Sequence, residues 1–191
     1  MNRKLIWIAL IFVTHICYAQ ITVINPSFED KPADATTPQG WSPCDELTTP
    51  DILPGFWGVY NEPSHGDTYV GIITRENGTF ESFGQRLSQS VKPKLCYKTS
   101  IDLAHSVIYS GYNKPIKLRI YLGSSKCDKE QLIFESKDVK KMNWETYPFS
   151  FYPEKEYQYI ILEAFYKEGP FSHKGNILMD NLRPIERCGN A

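Results

Sequence analysis

The feature that most constrains the fold is an Asn77-Gly78 pair set between two extended runs of sequence. Such a pair favours a type I′ turn, because both central residues of that turn need positive φ. The run from Gly66 to the turn carries β-branched and aromatic residues, and the run from the turn to Val91 alternates apolar and polar positions. We therefore predict a long β-hairpin. A lone hairpin cannot bury its apolar face, so further strands must pack against it.

Most of the remaining chain consists of short extended segments. Apolar and polar residues alternate in 95–104 and 116–122, shorter extended runs occupy 131–135 and 147–151, and an almost uniformly apolar run at 157–166 indicates a central strand. No segment longer than about two turns has a helical period. The sequence therefore predicts an all-β fold, a two-sheet β-sandwich of the jelly-roll type.

One long stretch, 45–65, is predicted to be irregular. Its prolines at positions 50, 54 and 63 argue against a central strand. Loops of this length in a compact domain are usually functional or disordered, and the aromatic residues Trp57 and Tyr60 favour an ordered, functional loop.

The first nineteen residues have the pattern of a secretory signal peptide. Arg3 and Lys4 precede an apolar run at 5–13, and cleavage is predicted before Gln20. The chain then divides into a signal peptide at 1–19 and one sandwich domain at 20–191, exported to the periplasm or to the outside of the cell. The net charge of −1 gives no reason to expect a nucleic acid partner, and no later apolar run predicts a transmembrane segment.

The cysteines indicate an oxidising compartment. Once the signal peptide is removed, Cys44, Cys96, Cys127 and Cys188 remain. An even number in an exported chain predicts two disulfide bonds, with three possible connectivities. No CxxC pair or neighbouring histidine suggests a zinc site.

Three motifs carry a resemblance to known proteins: Asn25-Pro26-Ser27-Phe28-Glu29, the following Trp41, and Met179-Asp180-Asn181-Leu182. Together they resemble the carbohydrate-binding-module type of galactose-binding-like jelly roll. More narrowly, the chain resembles a group of secreted bacterial proteins in which such a domain often precedes an OmpA-like or gliding-motility-type C-terminal domain. The elements that match this group are Thr49-Pro50-Asp51-Ile52, Pro63 to Gly71, Gly78 to Gln85 and Leu162-Glu163-Ala164.

The resemblance implies a structural calcium ion and a disulfide pairing. In modules of this type Ca²⁺ sits where the first and last strands meet, which here implies the ligands Glu29 and Asp180, with Asp67 or its neighbours adding oxygens. The alternative is that Glu29 faces solvent and Asp180 accepts only backbone hydrogen bonds. In related sandwiches the strand ending at Cys188 lies antiparallel to the one starting at Cys96, which implies Cys96–Cys188 and leaves Cys44–Cys127.

The candidate ligand-binding residues are loop aromatics with polar neighbours. Aromatic rings stack on the apolar faces of sugars, and polar side chains bind the hydroxyls. The aromatic candidates are Trp57, Tyr60, Tyr109 and Tyr112, whereas Trp41, a further aromatic candidate, is expected to belong to the core. The main polar candidates are His105 and Arg119, and the further ones are Arg75, Gln85, Lys98 and Asp102.

We expect a non-catalytic glycan-binding module, with a protein-interaction or adhesion module of the cell envelope as the alternative. A glycan-active hydrolase has less support. Glu163 is the one acid on an apolar strand, and Glu81 or Asp102 could approach it, but no glycosidase signature is present. A buried ion pair of Glu163 with an arginine explains it more simply.

Overall fold

A computed structural model of the protein describes residues 20–166 and 173–189. The predicted signal peptide lies outside the described residues. Within them the chain forms twelve β-strands and no helix. The strands are β1 (Ser42–Pro43), β2 (Asp51–Leu53), β3 (Tyr69–Thr74), β4 (Ser82–Val91), β5 (Tyr97–Ala104), β6 (Lys114–Pro115), β7 (Lys117–Gly123), β8 (Gln131–Glu135), β9 (Glu145–Phe151), β10 (Tyr157–Phe165), β11 (Gly175–Asp180) and β12 (Glu186–Arg187).

The strands form the predicted sandwich of two sheets. A five-stranded sheet has the order β1-β4-β10-β7-β8. A seven-stranded sheet has the order β12-β5-β11-β3-β2, with β9 beside β5 and β6 beside β11. Every strand pair is antiparallel except β6 with β11. The predicted central strand 157–166 is confirmed as β10, which lies in the middle of the smaller sheet.

The predicted long hairpin is wrong in its pairing. A turn forms, but only Gly78 of the Asn-Gly pair has positive φ, and beyond one bridge between Thr74 and Phe80 the two arms separate. β3 joins β2 and β11 in one sheet, while β4 joins β1 and β10 in the other. Because both edges of each strand are occupied by other partners, no edge remains for pairing along the length of the hairpin.

The stretch 45–65 also differs from the prediction, because it contains β2. Asp51–Leu53 pairs with the first half of β3, and on its other edge Ile52 forms a single bridge with Ala33. Pro50 and Pro54 flank the strand rather than interrupt it, which is how proline is tolerated at a sheet edge. The rest of the stretch is irregular, as predicted.

Two apolar clusters stabilise the sandwich. The larger lies between the sheets, where the inward residues of β7, for example Leu118 and Ile120, meet those of β3 and β11. The smaller lies on the opposite, outer face of the seven-stranded sheet. Its fully or nearly buried members are Leu53, Val59, Tyr69, Ile73, Ala104, Tyr109 and Leu178. Loops therefore cover this outer face and pack on it.

Both disulfide bonds join the pairs that the resemblance implied. Cys44 bonds Cys127 and Cys96 bonds Cys188, with Cα–Cα distances of 5.2 and 5.3 Å. The first ties the loop after β1 to the loop between β7 and β8, and the second holds the start of β5 to the segment after β12. Disulfides of this kind are typical of domains outside the reducing cytosol.

Candidate functional site

A cleft with aromatic walls lies at the β2 edge of the seven-stranded sheet, where loops cover the outer face. We call it the Trp57 cleft. Its volume is about 230 Å³, and nine residues line it: Asp34, Thr49, Asp51, Trp57, Ile73, Arg75, Tyr109, Ser110 and Tyr112. Five separate loops and the two strands β2 and β3 contribute to it, so the folded sandwich is needed to assemble it.

Trp57 is presented by a tight turn after β2. Val59 donates its backbone N–H to the carbonyl of Phe56, Gly55 donates to the carbonyl of Val59, and Val59 is buried in the outer cluster. Trp57 has φ of 55° and a side chain that is 44% exposed. The buried flanks therefore hold an indole at the protein surface.

The loop between β5 and β6 forms the wall that carries Tyr109 and Tyr112. Asn176, a buried residue of β11, fixes this loop: its amide nitrogen donates to the carbonyls of Ser106 and Tyr112 at 2.7 Å each, and its oxygen accepts the N–H of Ser106 at 3.0 Å. Tyr109 is buried and packs over β3. The position is available because Gly71 has no side chain, since a Cβ there would lie 2.5 Å from the Tyr109 hydroxyl.

Two carboxyl groups form the polar side of the cleft. The hydroxyl of Tyr109 donates to Oδ2 of Asp51 at 2.6 Å, and the backbone N–H of Ala35 donates to Oδ1 at 2.9 Å. The indole N–H of Trp57 donates to Asp34 at 3.2 Å. Burial raises the pKa of Asp51 to about 6, although the bond from Tyr109 opposes this shift, and a hydrogen bond with the Asp34 carboxyl raises it further.

Arg75 brings a guanidinium to the same cleft. Its Nη2 donates to Oε1 of Glu81 at 2.6 Å and to the hydroxyl of Thr49 at 3.2 Å. Glu81 is buried, and it also accepts the backbone N–H groups of Thr49 and Ile73. Nη1 of Arg75 is buried and has no hydrogen-bond partner among the described residues. A buried donor without a partner costs roughly 1–3 kcal/mol. The Arg75 side chain as a whole is 20% exposed, so a ligand can reach its exposed part but not the buried Nη1.

The fold brings together three of the six predicted ligand-binding residues, namely Trp57, Tyr109 and Tyr112. Tyr60 lies in the same loop as Trp57 but outside the cleft, and it is 72% exposed. His105 is buried beside Asn176, and burial lowers its pKa. Arg119 lies on the other sheet, where it donates to Glu135 at 2.7 Å. His105 and Arg119 are thus not at the cleft.

Sequence reasoning named Arg75 only as a further polar neighbour and did not single out Asp34 or Asp51. Asp51 did occur in one of the matching motifs, between Pro50 and Pro54. An acid in that position was the one sequence signal that could have pointed to it. Asp34 gave no signal, because only the bridge between Ala33 and Ile52 brings its loop to the cleft.

The other polar candidates have structural roles. Gln85 bonds both backbone groups of Ile24, and Asp102 accepts bonds from three neighbouring side chains. Lys98 borders a wider groove of about 560 Å³ on the outer face of β5 and β9. Its one aromatic lining residue, Phe149, stacks on Phe134 at 4.5 Å between ring centres. We therefore take the Trp57 cleft, rather than this groove, as the candidate ligand site.

The two acids named in the resemblance, Glu29 and Asp180, do lie near each other. Glu29 accepts the backbone N–H groups of Asp67 and Thr68, and Asp180 accepts that of His65 at 2.8 Å. Oδ1 of Asp180 is buried and has no hydrogen-bond partner among the described residues. Burial raises the pKa of Asp180 to about 7, and the charge of Glu29 acts in the same direction.

Side chains alone do not form a metal cage here. No group of three or more histidine, cysteine, aspartate or glutamate side chains gathers at one point in the described parts of the chain. The predicted ligand Asp67 approaches Glu29 with its backbone N–H, and an N–H cannot coordinate a cation. The donors that fit a hard cation are the unpaired oxygen of Asp180 and the carboxylate of Glu29, together with backbone carbonyls. Gly66 is required for this arrangement, because a Cβ there would lie 1.7 Å from Oε1 of Glu29.

The isolated acid Glu163 pairs with a lysine rather than with an arginine. Lys129 reaches it from the loop between β7 and β8, with a Nζ–Oε2 distance of 2.9 Å. Arg119 is its cross-strand neighbour but pairs with Glu135 instead. Asp102 lies on the other sheet and Glu81 pairs with Arg75, so neither forms a carboxyl pair with Glu163.

Comparison with protein-family models and with curated proteins finds no match. Solved structures do match in fold. The K3 cleaved adhesin domain of Lys-gingipain from Porphyromonas gingivalis is 14% identical, with a TM-score of 0.55 over 86% of this chain and 98% of that one. The CBM22-1 xylan-binding domain from Paenibacillus barcinonensis Xyn10C is 14% identical, with a TM-score of 0.53 over 86% and 93%.

A third match is part of an enzyme. An arabinose-bound GH51 α-L-arabinofuranosidase is 9% identical, with a TM-score of 0.57, and the chain spans 88% of its own length but only 26% of that of the enzyme. At these identities the matches establish the jelly-roll fold. Among the described residues, no helix has the length and apolar character needed to cross a membrane.

Proposed function

We propose that this protein is an exported, non-catalytic carbohydrate-binding module that holds a glycan in the Trp57 cleft. The observation that carries the proposal is a half-exposed indole in one cleft with convergent polar side chains. Aromatic rings with a few fixed hydrogen-bonding groups are what a sugar needs. The xylan-binding domain and a family 16 carbohydrate-binding module, which share the fold, support the same class of function.

Each part of the cleft has a role in this proposal. The ring of Trp57 stacks on the apolar face of a sugar, while Asp34 and the exposed part of the Arg75 side chain bond its hydroxyls. Tyr109 forms the floor and fixes Asp51. The cleft is smaller than the ~300–1,000 Å³ pockets of drug-sized ligands, which favours a single terminal sugar residue over the middle of a long chain.

The arrangement of the two acids supports binding rather than hydrolysis. Asp34 and Asp51 are close enough to share a hydrogen bond. The carboxyl pairs of glycosidases stand roughly 5–10 Å apart, so that the scissile bond fits between them. A pair in direct contact leaves no room for that bond.

Replacing Trp57 with alanine is expected to lower glycan affinity by more than about tenfold, because the stacking surface is lost. The side chain is 44% exposed, so we expect little change in the free energy of unfolding. A glycan array with the oxidised domain identifies the ligand, and calorimetric titration of the wild type and W57A measures the change.

The matched control is Y152A. Tyr152 is 62% exposed on the turn between β9 and β10, away from the cleft, and its replacement should leave the affinity unchanged. A blank array from a folded protein with both disulfides intact would refute the proposal, as would equal affinity of the wild type and W57A.

A second candidate function, protein interaction or adhesion, has one observation of its own. Four exposed apolar side chains lie on three adjoining loops: Tyr60, Val107, Ile108 and Met142. The loops touch, because a Cβ on Gly58 would contact Ile108 and the Asn61 amide donates to the carbonyl of Met142. Retention of an envelope protein that is lost in I108D but kept in W57A would favour this function.

We also propose that Glu29 and Asp180 hold a structural calcium ion. Ca²⁺ binds typically six to eight oxygens, and it would satisfy the unpaired oxygen of Asp180 and offset the repulsion between the two carboxylates. Bound there, it would tie the turn at residues 25–29 to the end of β11. The supporting observations are the orphaned oxygen and the raised pKa of Asp180.

The calcium proposal predicts a specific dependence on pH. Without a cation, the raised pKa of Asp180 means that the folded state keeps a proton that the unfolded state releases, so stability falls as the pH rises from about 4 through about 7. Between about pH 6 and pH 8 the loss is on the order of 1 kcal/mol. Adding Ca²⁺ at pH 8 should recover it and raise the melting temperature by several degrees.

Thermal melts in chelator and in millimolar calcium measure both effects. The near-isosteric variant D180N should lose most of the fall above pH 6 and all of the response to calcium. Asp51, whose pKa is about 6, titrates mainly below this interval, and its smaller contribution remains in the variant. Identical melting temperatures of the wild type in calcium and in chelator at pH 8 would exclude the site.

A further inference from the structure

The Trp57 cleft carries an excess of negative charge, which glycan binding in general does not require. Its positive groups are already neutralised. Arg75 is paired with buried Glu81 at 2.6 Å, and Lys174, whose ammonium lies 5.8 Å from the centre of the Tyr112 ring, is 3.7 Å from Glu76. Neither cation is available to balance the acids of the cleft.

The two acids have no such partners. Asp34 accepts the indole N–H of Trp57, and Asp51 accepts a tyrosine hydroxyl and a backbone N–H, all of which are neutral donors. In the described part of the chain, neither acid forms an ion pair with a basic side chain. When both are ionised, the cleft carries two uncompensated negative charges.

An aromatic side chain is hydrogen-bonded to each of these acids, and of the two only Trp57 is exposed. Trp57, the ring type that binds cations best, is hydrogen-bonded to one acid, and Tyr109 is hydrogen-bonded to the other. Aromatic faces next to carboxylates attract an ammonium group both through the ring quadrupole and through direct charge. A neutral hydroxyl in the same place would use only the hydrogen bonds.

We propose that the ligand of the Trp57 cleft is a glycan with a free amino group, that is, an amino sugar without its N-acetyl substituent, whose ammonium contacts the carboxylate of Asp34 beside the indole of Trp57. The inference rests on the proposed function, since it names the kind of sugar that the same cleft holds. The sugar ring stacks on the indole, and the amine donates to Asp34. N-acetylation removes the positive charge of the amine, and it also adds a bulkier group where the amine would contact the acids.

The test compares three tetrasaccharides that share a β-1,4-linked backbone and differ only in the substituent at C2 of each sugar unit. They are the tetramers of glucosamine, of N-acetylglucosamine and of glucose, titrated into the oxidised full domain at pH 7 in chelator. A hydrogen bond to a charged group contributes roughly 1.5–3 kcal/mol. We therefore expect the amine tetramer to bind about tenfold or more tightly than either neutral tetramer, and this advantage to shrink with added salt.

The variant D34N keeps an acceptor for the Trp57 indole and removes one charge, so the advantage of the amine should fall about tenfold. The control E154Q removes one exposed charge on the turn after β9, far from the cleft, and should keep the full advantage. The comparison of the three ligands on the wild type needs no variant, so it stands even if D34N is unstable.

Equal binding of the three tetramers, or tighter binding of a neutral one, overturns the amino-sugar inference. If an array glycan without an amine then binds through Trp57, the proposed function survives and only the inference falls. If no glycan of any kind binds the folded domain, the proposed function fails and the inference with it.

Discussion

Replacing Cys96 and Cys188 together with serine is expected to lower the free energy of unfolding by about 4 kcal/mol. The bond closes a loop with a sequence separation of 92 residues, and its removal returns the entropy of that loop to the unfolded chain. The native contacts around it are few, since β12 pairs with β5 over only two residues. A domain of this size has a total stability of roughly 5–15 kcal/mol, so the variant is expected to lose a large share of it.

Guanidinium unfolding of the wild type and the double variant measures the effect. The double variant of Cys44 and Cys127 is the matched comparison, because its bond has a separation of 83 residues and should give a similar loss. A loss below about 1 kcal/mol for the first pair would contradict the prediction. It would mean that the pairing of β12 with β5 already constrains the end of the chain.

Replacing Gly71 with alanine is expected to disturb the Trp57 cleft from beneath and to lower the free energy of unfolding by roughly 1–3 kcal/mol. The new Cβ would lie 2.5 Å from the Tyr109 hydroxyl and 2.8 Å from its ring. A buried ring fixed by a bond to Asp51 cannot move aside without losing that bond. We therefore expect weaker glycan binding together with a lower melting temperature.

The variant Y109F and the double variant G71A/Y109F separate the two causes. Y109F removes the hydroxyl and its bond to Asp51 but keeps the ring. If the clash with the hydroxyl dominates, the double variant should lose less stability than the sum of the single variants, by about 1 kcal/mol. Strict additivity, or an unchanged melting temperature in G71A, would show that the loop carrying Tyr109 adapts without cost.

The sequence predicted the faces of strands better than it predicted their neighbours. In 116–122 the alternation places Leu118, Ile120 and Leu122 inside, and β7 shows this pattern, because the side-chain period belongs to the strand itself. Pairing depends on edges supplied by distant segments. The Asn-Gly turn forms locally, but β3 and β4 gain more by pairing with β11 and β10 than with each other.

The candidate site could be anticipated only in part for the same reason. Loop aromatics such as Trp57 and Tyr109 are noticeable in a sequence because exposing a large apolar ring to water is unfavourable in free energy. Such a ring in a loop therefore suggests either burial or ligand binding. Asp34 and Asp51 look like ordinary loop acids. They become part of a cleft only because β2 forms, and the three prolines near this strand argued against predicting it. The buried amide of Asn176 is also needed, because it fixes the loop on the opposite wall of the cleft.

The position of β11 has a consequence for the order of folding. This strand lies between β3 and β5 in the sheet, yet it is the last long strand in the chain. Until residues 175–180 are available, β3 and β5 present unpaired edges, and the larger sheet exists as two separate halves. Pairings between residues so distant in sequence form slowly. While the central strand is still missing during synthesis, the exposed edges of β3 and β5 are open to pairing with those of another chain.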